Sequence, residues 1–172
     1  MFRGPLGPRQ LLGIGDCISV CSIEVVFTQL GSTWGQLDLS LLAYELCGTY
    51  GVTPANGDGF QPDLQPLTSK SALGEYAAAA KALGIAGANR ALKALESVTE
   101  RSASPRESEI GLFFAAGRRT GGAGTAGFVM NPRLKVPAGY VSLGSERTIV
   151  PDFLWDCLLY TSPSPRDISG SR

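Results

Sequence analysis

Apolar residues recur at helical spacing in five stretches of the chain and at strand spacing in only a few short ones. Ile23, Val26, Phe27 and Leu30 share one side of a helix predicted over 23–30, with Ser22 as its cap. After Gly31 and Gly35, the broad stripe of Leu37, Leu41, Leu42, Tyr44 and Leu46 predicts a second helix over 37–47. Residues 72–83 are alanine-rich and helical on propensity alone. A fourth helix is expected from Ala88 to about Glu100, with Ala91, Leu92, Leu95 and Val98 on one face. Helix, short turn, helix implies an antiparallel pair.

The fifth helix has the fullest start signal. Ser104 stands at the cap, Pro105 at the first helical position and Glu107 three residues after the cap. Ile110, Leu112, Phe113 and Phe114 are expected to supply its buried face, and Gly117 to stop it. Strand patterns are shorter: 17–21, an extended piece at 47–50, 134–136 with 140–143, and 148–155. Residues 52–66, rich in proline and glycine, form the expected internal boundary, and 121–127 a mobile glycine connection. The fold class that follows is α+β: an N-terminal strand and helices, a helical pair, then a helix plus β-hairpin. Its expected divisions are 1–66, 67–156 and 157–172.

The 172 residues carry 15 basic and 15 acidic side chains, so no global field draws the chain to nucleic acid. Any such binding needs a local patch, and 101–150 offers one with Arg101, Arg106, Arg118, Arg119, Arg133, Lys135 and Arg147. The chain has no histidine, which excludes a Ser-His-Asp triad, a Cys-His protease and any His-ligated zinc within it. Cys17, Cys21, Cys47 and Cys157 form no Cys-x-x-Cys pair and read as small apolar residues of a reducing cytosol. Charges interrupt every apolar run before membrane-spanning length, and the first residues do not read as a secretory signal. A cytoplasmic protein without a membrane partner is expected.

Two acids stand out. Glu107 serves a capping box, yet it lies at i, i+3 and i+7 with Ile110 and Phe114, so it can also face inward. Asp152 falls in 148–155, where alternation leaves both faces otherwise apolar. A carboxylate in such a strand demands a counter-charge, from Arg118, Arg147 or a metal cation. Pro151 beside it points instead to a strand start or an edge. Gly122-Ala123-Gly124-Thr125-Ala126-Gly127 fits the dinucleotide pattern by letter only, because a helix precedes it and Pro132 follows.

Ser104-Pro105-x-Glu107, Pro151-Asp152-Phe153-x-Trp155 and the run Tyr44 to Tyr50 together resemble restriction-endonuclease-like nucleases, in the branch akin to the very-short-patch-repair endonuclease. The resemblance covers about 5–155. It implies a Mg²⁺-dependent DNA endonuclease, with Glu107 and Asp152 as catalytic metal ligands and Arg118, Arg119 and Arg147 on the phosphate backbone. The family's second acidic strand, with its acid and lysine, has no counterpart after Asp156. Residues 157–167 resemble the translation of a transposase-based sequencing adapter, so 157–172 are expected to be foreign to the natural protein. The chain thus reads as a truncated, inactive endonuclease fragment that also lacks its true start. The alternative is a non-enzymatic, antitoxin-like regulator that binds DNA or a partner.

Overall fold

The computed structural model describes residues 11–14, 18–55, 57–136 and 148–155. Among the described residues five α-helices and short antiparallel two-stranded sheets make the fold α+β. The chain divides into two compact units between Ala126 and Gly127.

The first unit opens with β1 (Leu11–Gly13) and β2 (Ser19–Cys21), an antiparallel pair of which only the second strand was expected. Then come α1 (Ile23–Leu30), α2 (Gln36–Leu46), β3 (Gly51–Val52), β4 (Phe60–Gln61), α3 (Lys70–Ala82), α4 (Ala88–Leu95) and α5 (Pro105–Ala115). The helical pair α3 and α4 packs together, α1 lies on both, and α2 lies on α4 and α5. Phe27, Leu39, Tyr44 and Leu73 are fully buried at the centre. Around them Ala77, Ala80, Ala88, Ala91 and Ala94 fill the helix contacts with side chains that lose no rotamer entropy on burial.

The helices form where the pattern puts them, but α1, α2 and α5 bury other faces than the pattern predicts. α1 buries Val25, Phe27 and Thr28 while Val26 is exposed, and α2 buries Leu39, Ser40, Ala43 and Tyr44 while Leu37 is exposed. α2 is apolar on nearly every side, so its sequence leaves the phase to its neighbours. α4 ends at Leu95 because Ser97 and Val98 turn back onto the carbonyls of Ala94 and Leu95. Arg101 then takes a left-handed φ of 74° ahead of the next helix start.

The expected boundary at 52–66 is instead a hairpin inside the first unit. Val52 pairs with Phe60, the Leu64 N–H donates to the Thr49 carbonyl at 2.8 Å, and Phe60 meets Tyr50 edge-on at 6.3 Å. Nor is 121–127 a free connection. The N–H groups of Ala123, Gly124 and Thr125 donate to the carbonyls of Phe113, Ala116 and Phe114, capping the C-terminal end of α5.

The second unit is a nested antiparallel pairing. β5 (Phe128–Met130) pairs with β8 (Phe153–Trp155), and β6 (Leu134–Lys135) with β7 (Thr148–Ile149). Phe128, Phe153 and Trp155 cluster with ring centroids 5.3–6.2 Å apart, beside buried Met130. The single strand expected over 148–155 is broken at Val150-Pro151-Asp152, where Pro151 has no N–H to give a ladder. The expected strand 140–143, Arg147 and the adapter-like residues 157–172 lie outside the described residues.

Candidate functional site

α5 begins as its sequence dictates. The Ser104 hydroxyl oxygen accepts the Glu107 N–H at 3.2 Å, and Pro105 takes the first helical position with a nitrogen that has nothing to donate. Glu107 answers with both carboxylate oxygens. Its Oε1 accepts the Ser104 hydroxyl at 3.0 Å and its Oε2 accepts the Ala103 N–H at 3.0 Å. The reciprocal bond lands one residue before the cap, so the carboxylate secures both the helix and the chain entering it. Glu107 is half-buried there.

The inward face expected for Glu107 is not the one α5 presents. The buried side is Ser108, Gly111 and Leu112, while Ile110 and Phe113 are exposed at 39 % and 53 %. Tyr44 decides this. Its ring lies against Gly111, where a Cβ would come within 3.0 Å of the Tyr44 oxygen, and its hydroxyl donates to the Ser97 carbonyl at 3.0 Å. Burial raises the Tyr44 pKa, with hydrogen bonding at Thr99 opposing it.

A chain of buried hydroxyls, which sequence reading missed, anchors the same helix start. Tyr50 Oη lies 2.8 Å from Ser108 Oγ, Ser108 donates to Ser102 Oγ at 2.9 Å, and Ser102 donates to the Ser104 carbonyl at 3.0 Å. Ser102 and Ser108 are buried, at 0 % and 1 % exposure. Each hydroxyl therefore needs the next as a partner. Burial pushes the Tyr50 pKa up; the Ser108 bond lowers it, and the carboxylates of Glu45, Glu107 and Glu109 raise it again. The available signal was the four-residue spacing of Ser104 and Ser108, which puts a second hydroxyl one turn inside the helix.

Those three acids are engaged. Glu45 accepts the Val52 N–H at 2.8 Å, Glu109 pairs with Arg106 at 2.7 Å, and Glu107 holds the cap. Arg118 and Arg119 sit on an exposed 3-10 turn, Arg118–Thr120, just past the end of α5. From Glu107 to the end of the helix at Ala115 the axis rises by about 12 Å, and the turn that carries them lies beyond that end.

Asp152 is placed differently from expectation. It occupies the bend between β7 and β8, exposed, with its carbonyl accepting the Asn131 N–H at 3.2 Å. An exposed carboxylate is hydrated and needs no buried counter-charge, so the demand inferred from a two-faced apolar strand falls away. Glu107 and Asp152 belong to different compact units. A hard cation such as Mg²⁺ collects several oxygens at one point. Among the described residues no group of three or more His, Cys, Asp or Glu side chains gathers to hold one, and Glu107 already serves its cap. No described helix is long and apolar enough to cross a membrane. No protein-family model, no curated protein and no solved structure matches this chain.

Proposed function

We propose that this chain is the forepart of a Mg²⁺-dependent DNA endonuclease and is itself without turnover. The observation that carries the reading is the order of elements. A helix with Glu107 in its first turn runs through a short capped loop into an antiparallel pairing whose returning strand, β8, begins directly after Pro151-Asp152. The resemblance to restriction-endonuclease-like proteins calls for a Glu-bearing helix ahead of a strand that ends in an Asp; the helix stands in that order here, while Asp152 lies in the bend before β8. The lack of turnover rests on the second acidic strand that the resemblance calls for, whose acid and lysine have no counterpart after Asp156 in this sequence. Polarising a phosphoryl group and activating water both require a metal held by several oxygens, and one capping carboxylate does not supply that. Arg118 and Arg119, exposed at the far end of α5, are the phosphate contacts of this reading.

The test is the natural gene carried past Asp156. A downstream strand with an acid-x-Lys, and plasmid cleavage by the longer protein that requires Mg²⁺ and is lost in Asp152→Asn, is the expected result. A longer protein with no such strand and no cleavage overturns the nuclease reading and leaves the antitoxin-like regulator in its place.

A further inference from the structure

We draw no further inference here: the strongest candidate, the apolar patch that Ile110 and Phe113 leave exposed on α5, carries nothing, because nothing in the structure shows what covers it.

Discussion

If Glu107 is a capping residue, removing it must loosen α5, and the geometry says by how much. Ser104→Ala deletes the acceptor of the Glu107 N–H and should cost about 1 kcal/mol. Glu107→Ala removes the acceptors of the Ser104 hydroxyl and of the part-buried Ala103 N–H, a loss of about 1–2 kcal/mol. Glu107→Gln keeps one oxygen of the two and should fall between wild type and Glu107→Ala. Because Ser104 and Glu107 bond to each other twice, the double variant should lose less than the sum of the singles, by about 0.5–1 kcal/mol. All described helices lie in the first unit, so the helix signal in far-UV circular dichroism during urea or thermal unfolding reports on it. For a chain of this length each kcal/mol moves the midpoint by about 2–4 °C. A carboxylate kept for a metal behaves oppositely, since its removal relieves unsatisfied charge. A Glu107→Ala midpoint equal to or above wild type, or strict additivity with Ser104→Ala, would refute the cap.

Other consequences are equally direct. Gly111→Ala, which on an exposed helix would stabilise by about 1 kcal/mol, should here destabilise by a similar amount. Its Cβ would meet Tyr44, which is fully buried and tied to Ser97, and unfolding midpoints give the sign. The Cys47 thiol is pushed up to about 12, by burial first and the Glu100 carboxylate second, with Lys70 opposing. A pKa raised in the folded state contributes stability that is whole below the unfolded value near 9 and is lost as pH climbs through 12. Stability should therefore fall by up to about 1.4 kcal/mol per pH unit in that window, and Cys47→Ala should flatten the fall. If the proposed phosphate contacts are real, Arg118→Ala with Arg119→Ala should reduce the salt slope of DNA binding by about two; an unchanged slope removes them.

Much of the first unit was legible because its signals are local. Ser104, Pro105 and Glu107 fix the start of α5 by bonds among neighbours, and the alanines of α3 and α4 are helical wherever they stand. What sequence could not supply was decided at a distance. α2 is apolar nearly all round, so Leu37 reads like Leu39 until α4 and α5 choose a side. Tyr44 against Gly111 turns Ile110 and Phe113 outward, though their spacing reads as core. The prolines and glycines of 52–66 announce turns but not that β3 and β4 pair across them. At Asp152 the competing local signal, Pro151, outweighed strand alternation, and the carboxylate that looked stranded among apolar neighbours sits in water.

The direct test of the account is supercoiled-plasmid nicking by the chain as it stands, with Mg²⁺, beside Asp152→Asn and Glu107→Gln. The account predicts no cleavage above buffer for any of the three proteins. Mg²⁺-dependent nicking by the wild-type chain that Asp152→Asn abolishes would contradict it, because Glu107 and Asp152 would then be acting as one centre rather than as a helix cap and an exposed bend.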